Sequence, residues 1–169
     1  RVQAWTALVH KEKDHAADAI ESGDLVDATL AIRESVRALR LVLLEGWGER
    51  LGSMGREWTC FERMATTYGA QDLANRLACL ADSHPDDALR RAALAPAWLQ
   101  ERIDLTCAAR KAVDEDVTEA ENARDQLAAF AVHVPKYQPQ PWGGWIGIPT
   151  PDPEKKLGEL GGLINEICG

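Results

Sequence analysis

The chain has 169 residues, 46% of them apolar and only 6% aromatic, and a formal net charge of −8 from 19 basic and 27 acidic side chains. A chain of this length can form one domain and bury roughly 70% of its unfolded surface, so it needs no disulfide or metal staple. The acidic balance disfavours DNA, whose phosphates want a basic face; it suits a cationic small molecule or a basic partner, with plain solubility the simplest reading.

Abundant alanine and leucine with few aromatics predict helices packed through small side chains rather than sheets. Cys60, Cys79, Cys107 and Cys168 form no Cys-x-x-Cys pair. They read as reduced, mostly buried small hydrophobes of a cytoplasmic protein, with no zinc site and no disulfide framework. No apolar run is long enough to span a bilayer, so no membrane partner is expected. Arg1-Val2-Gln3-Ala4-Trp5 already reads as helix, with neither an initiator Met nor a signal-peptide pattern. That is the expected start of a chain cut or processed from something longer.

Val2, Trp5, Val9, Ala16, Ala19 and Ile20 recur at helical spacing and predict a first helix from about Val2 to Glu21. Ser22-Gly23-Asp24 should stop it and cap the next, with Gly at C′ and Asp at the N-cap. Leu25, Ala28, Ile32, Val36, Leu39 and Leu43 then mark a second helix ended by Gly46 and Gly48, giving an antiparallel hairpin. After the glycine-rich link Gly46 to Gly55 come a helix over Arg56 to Tyr68, another over Gln71 to Ser83 and a short one over Asp86 to Leu94. His84-Pro85 separates the last two. From Ala97 to about Val132 the pattern reads as one long helix, straight or kinked, with Leu99, Ile103, Val113, Val117, Leu127 and Phe130 in its seam.

Six of the eight prolines lie between Pro135 and Pro153, interleaved with Tyr137, Trp142 and Trp145. Such a stretch predicts an extended arm, because proline lacks the N–H and fixes φ. Its Trp rings should fill surface grooves, which makes Trp142 and Trp145 the candidate interaction residues. Asp152-Pro153 should open a last helix, lined by Leu157, Leu160, Ile164 and Ile167, that needs a docking surface. The expected architecture is therefore all-α: an antiparallel helical bundle over 1–133, a Pro/Trp-rich extended arm over 134–152 and a short C-terminal docking helix over 153–169. No strand or hairpin signal competes.

Reaction centres are sparse. Glu12 and His15 share a helix face in a Glu-x-x-His spacing, but a di-iron bundle needs a second such pair, and His10, His84 and His133 lack a Glu three residues before them. No metal and no cofactor is expected. Glu115 with Glu119 and Glu121 with Asp125 are one turn apart and read as a solvated face near Lys111 and Arg124. Arg33, Arg37 and Arg40 form a basic stripe able to grip a phosphate, though surface charges balanced by neighbouring acids are the favoured reading. No nucleotide loop, nucleophile elbow or local Cys–His pair occurs, so no catalytic residue is assigned and enzymatic activity stays open. The polar edge of any ligand site is expected to include Glu12, His15, Arg56 and Glu57.

Ala16-Ala17-Asp18-Ala19-Ile20-Glu21-Ser22-Gly23-Asp24-Leu25-Val26-Asp27-Ala28, continued by Arg33 to Arg40 and by Gly55-Arg56-Glu57-Trp58-Thr59, resembles HEPN-type domains. These are similar to the helical C-terminal domains of kanamycin-nucleotidyltransferase-like proteins. HEPN ribonucleases resemble one another in a more closely spaced Arg–His pair than Arg76 and His84, which have seven residues between them. The nucleotidyltransferase metal motif, on a separate sheet domain, has no counterpart here. The resemblance thus implies the helical half alone: a non-catalytic substrate-binding or interaction domain, accessory to a nucleotidyltransferase domain or subunit, whose pocket would suit a cationic aminoglycoside. An RNA-acting HEPN-type enzyme and a module docking onto a neighbouring subunit, including a second copy in a homo-oligomer, are the alternatives.

Overall fold

Gly23 adopts a left-handed φ of 80° and turns the chain sharply between α1 (Val2–Ser22) and α2 (Leu25–Trp47). The Asp24 side chain accepts from the Asp27 N–H at 3.0 Å and caps α2. This computed structural model describes residues 1–50, 54–113, 115–133 and 141–169. Part of the glycine-rich link, at 51–53, and the first half of the proline-rich arm, at 134–140, lie outside the described residues.

Among the described residues there is helix and no strand. A 3₁₀ turn, Met54–Arg56, leads into α3 (Glu57–Thr67); α4 (Gln71–Leu80), α5 (Pro85–Leu94), α6 (Ala97–Ala112), α7 (Glu119–His133), α8 (Gly143–Ile146) and α9 (Pro153–Cys168) follow. None is long and apolar enough to cross a membrane. The all-α bundle read from the sequence is what the chain forms.

Two apolar cores organise it. The first joins Val9 and Ala16 of α1 to Ile32, Val36 and Leu39 of α2, Phe61 of α3, Leu77 of α4 and Leu160 and Ile164 of α9. Small residues bring α1 and α2 close enough for the buried Ser35 hydroxyl to donate to the Val9 carbonyl at 3.0 Å. The final helix docks here, on its own bundle, against α1, α2 and α4. The second core gathers Ala88, Leu99, Ile103, Leu127, Trp145 and Ile148 from α5, α6, α7 and the residues around α8.

Several expectations need correcting. The helix expected from Ala97 to Val132 is two helices. Thr118 caps α7, its hydroxyl accepting from the Glu121 N–H at 3.1 Å. Glu115, between the helices, pairs with buried Arg110 at 2.8 Å. Val113, expected in the seam, ends α6 and is largely exposed. Of the four cysteines expected to be mostly buried, only Cys107 is; Cys60 and Cys168 are half-buried and Cys79 is exposed, because each of these three sits toward the outer side of its helix. Within the arm, 143–146 form a short helix around Trp145, which is buried in the second core and does not fill a surface groove. Trp142 packs edge-to-face with Trp98, Phe130 and Trp145. Asp152 stands at the start of α9 but makes no capping bond, because its φ of 48° turns the side chain away from that role.

Candidate functional site

The cleft between the two cores is where charge collects. Arg33, Arg37 and Arg40 follow one another at helical spacing along α2. The face they form looks into an open cleft whose enclosed part is about 70 Å³. Arg91 of α5 and Arg124 of α7 also line it, with Glu34, Glu57 and Asp82 as its carboxylates. Leu30, Leu127, Ala128, Ala131, Val132 and Ile146 supply the apolar wall.

The α2 arginines are not the solvated surface charges expected of them. Arg40 is only 4% exposed. Its guanidinium lies over the Trp58 ring, 4.0 Å from the centroid, a cation–π stack. Glu57 opens α3 and serves two arginines: Arg37 Nη2 donates to Oε1 at 2.9 Å, and Arg40 Nη2 reaches Oε2 at 3.5 Å. Burial pushes the Arg40 guanidinium down to about 10, Glu57 opposing and Arg37 adding to the fall. The Nε and Nη1 of Arg40 and the Nε atoms of Arg33 and Arg124 are buried with no hydrogen-bond acceptor among the described residues.

Asp82 anchors the other end. It holds a left-handed φ of 54° after α4 and accepts from Arg33 Nη2 at 3.2 Å and Lys156 Nζ at 2.5 Å. Burial raises its carboxyl, but Arg33 and Lys156 outweigh that and hold it below the ordinary carboxylate range. Arg33 Nη2 also donates to the carbonyls of Ile146 at 2.7 Å and Gly147 at 2.9 Å, fastening the residues after α8 to α2.

Of the four expected ligand-site residues, only Glu57 lines this cleft. Glu12 and His15 sit on α1, where His15 Nε2 is 2.7 Å from Asp27 and Nδ1 is 3.4 Å from Glu12, so they clasp the α1–α2 hairpin. Arg56 lies 3.5 Å from Glu115. Asp125, expected on a solvated face, is buried and caps α3, accepting from the backbone N–H groups of Trp58 and Thr59. Arg76 pairs with Glu166 at 2.9 Å, while the His84 ring accepts from the Asp86 N–H as the N-cap of α5. Arg91 and Asp82 were not singled out by sequence reasoning. The only sequence signal for Asp82 was its place just after an apolar helical run, where a capping or turn residue is common.

A second groove, between α5, α6 and α7, is lined by Leu89, Ala92, Ile103, Cys107 and Asn122. No buried polar atom there lacks a partner among the described residues. Nor do the described residues hold three or more His, Cys, Asp or Glu side chains arranged to bind a metal.

No family model matches the chain, and comparison with curated proteins and with solved structures yields no match.

Proposed function

We propose that this chain is a helical binding domain that holds a small molecule in the cleft between its two cores and brings no reacting group of its own. The cleft itself carries this reading. Its make-up is the usual one for a ligand site, an apolar wall with a few converging polar groups around a small enclosed space of about 70 Å³. Neither histidine nor cysteine is among its described lining residues. The resemblance of the Gly23-Asp24 hairpin to nucleotidyltransferase-associated helical domains adds a role beside a catalytic domain or subunit. The sign of the cleft departs from the cationic ligand that the acidic composition suggested, since arginines outnumber carboxylates on its walls.

The test is a thermal-shift screen of small organic acids, amines and neutral compounds, with native mass spectrometry of gently purified protein. At least one compound is expected to raise the melting temperature of the wild type and to lose that effect in Ala131→Trp, which fills the cleft. If no compound of any charge class shifts the transition and nothing co-purifies, the binding role is wrong. A parent gene and its neighbours without any nucleotidyltransferase domain would remove the accessory role alone.

A further inference from the structure

We propose that the cleft is an oxyanion site, in which the Arg33–Arg37–Arg40 stripe of α2, with Arg124 from α7, takes the carboxylate or phosphate of a small organic anion while the apolar remainder packs on α7. The inference rests on reading the cleft as a ligand site and adds the chemistry of the ligand.

Arg40 carries the argument. A guanidinium has five N–H donors, and leaving them unpaired away from water is costly. Arg40 is nine-tenths buried and more, yet only its Nη2 reaches a carboxylate, at a long 3.5 Å. Its Nε and Nη1 are buried behind the cleft wall without an acceptor, and an oxyanion seated in the cleft would supply one after a small shift of the side chain. Arg33 and Arg124, which line the same cleft, each bury a further unpaired Nε.

Charge points the same way. Glu57 is a single carboxylate between Arg37 and Arg40, and Asp82 is a single carboxylate between Arg33 and Lys156. Arg124 pairs with Glu62, and Arg91 shares Asp87 with Arg90. Asp125, which also acts on Arg40, is committed to Thr59, the start of α3 and Arg110. With Glu34 counted on the rim, the walls and their ion-pair partners keep one positive charge in excess, within a chain of net charge −8. A cation would meet that excess unfavourably, whereas an oxyanion would neutralise it through charge-assisted hydrogen bonds. A bare inorganic ion would leave Leu127, Ala128 and Val132 against water, so the anion should be organic.

Isothermal titration calorimetry with phenyl phosphate, benzoate, inorganic phosphate and benzylamine tests this on the wild type, Arg37→Gln, Arg40→Met and Ala131→Trp. Phenyl phosphate or benzoate is expected to bind saturably, at least tenfold more weakly in Arg37→Gln and Arg40→Met, with benzylamine silent. The preferred aromatic anion tells phosphate from carboxylate. Arg37 is partly exposed, so Arg37→Gln decides the matter even if Arg40→Met fails to fold. Anion binding that is absent, or indifferent to both arginine variants, overturns the oxyanion assignment. Benzylamine binding that Ala131→Trp abolishes, with the anions silent, would sink it too while leaving the cleft a ligand site; silence from every probe would count against both.

Discussion

Asp125 on α7 grips Thr59 at the start of α3 twice, its Oδ1 accepting from the Thr59 N–H at 3.1 Å and its Oδ2 from the Thr59 hydroxyl at 2.5 Å. The same carboxylate accepts from the Trp58 N–H and from Arg110 Nη1 at 3.0 Å. A helix normally takes its N-cap from the residue just before it, but here the acceptor comes from 66 positions along the chain.

Removing this carboxylate should therefore cost more than an ordinary cap. Asp125→Ala leaves Arg110 buried with a partner missing and strips two N–H groups at the start of α3. Breaking a buried ion pair from one side costs about 3–5 kcal/mol. Urea unfolding should show a loss of that order, with Asp125→Asn losing less because an acceptor is kept. A loss below 1 kcal/mol in the alanine variant would mean that α3 is held by packing alone.

Glu57 and Arg40 should respond in opposite ways. Glu57→Ala leaves two guanidiniums, one fully buried, without their shared carboxylate, and is expected to lower stability by about 3 kcal/mol. Arg40→Met keeps an unbranched chain over Trp58 and removes a charge whose donors are largely unmet, so stability should stay within about 1 kcal/mol of wild type. Equal losses in chemical denaturation would contradict this asymmetry.

His15 makes the hairpin sensitive to pH. The hydrogen bond to Asp27 raises its imidazole above the ordinary value, slight burial opposes this, and the charges of Asp27 and Glu12 add to the rise. A group raised on folding contributes stability that is fully present below the unfolded value and is lost as pH rises through the folded one. The contribution is small because the ring is about half exposed. Proton NMR titration should place His15 above the unfolded imidazole, and Asp27→Asn should bring it back down. An unmoved titration in Asp27→Asn would rule out the clasp.

Two glycines, Gly147 after a short helix and Gly158 within a long one, should behave differently. Gly147 has a φ of 78°, and a Cβ there would lie 3.0 Å from Arg33 Nη2, so Gly147→Ala should cost about 1–2 kcal/mol. Gly158 lies exposed inside α9 with open space around it, and Gly158→Ala should gain about 0.5–1 kcal/mol in thermal unfolding. Gly147→Ala should also weaken ligand binding, because Gly147 is held to Arg33 at the cleft.

The hairpin was legible because its signals are local: the apolar spacing along α1 and α2 and the Gly23-Asp24 punctuation need nothing beyond a few neighbouring residues. The break between α6 and α7 was not read: the apolar periodicity running through it hid the stop, although Thr118-Glu119-Ala120-Glu121 carries a capping pattern. Trp145 was placed on the surface because prolines around it spoke only of backbone; its burial depends on Leu99 and Leu127, far along the chain.

Periodicity, capping and composition by themselves determined that this chain is a bundle of helices, since each helix is written in contacts three and four residues apart. Only the tertiary structure decided the fate of the charged residues. Arg40, Glu57, Asp82 and Asp125 look like solvent-facing polar residues in the sequence; Asp82 is half-buried and the other three are buried, because helices distant in the chain supply their partners. The free energy of a charge is set by what surrounds it in space, and no spacing along the chain encodes that.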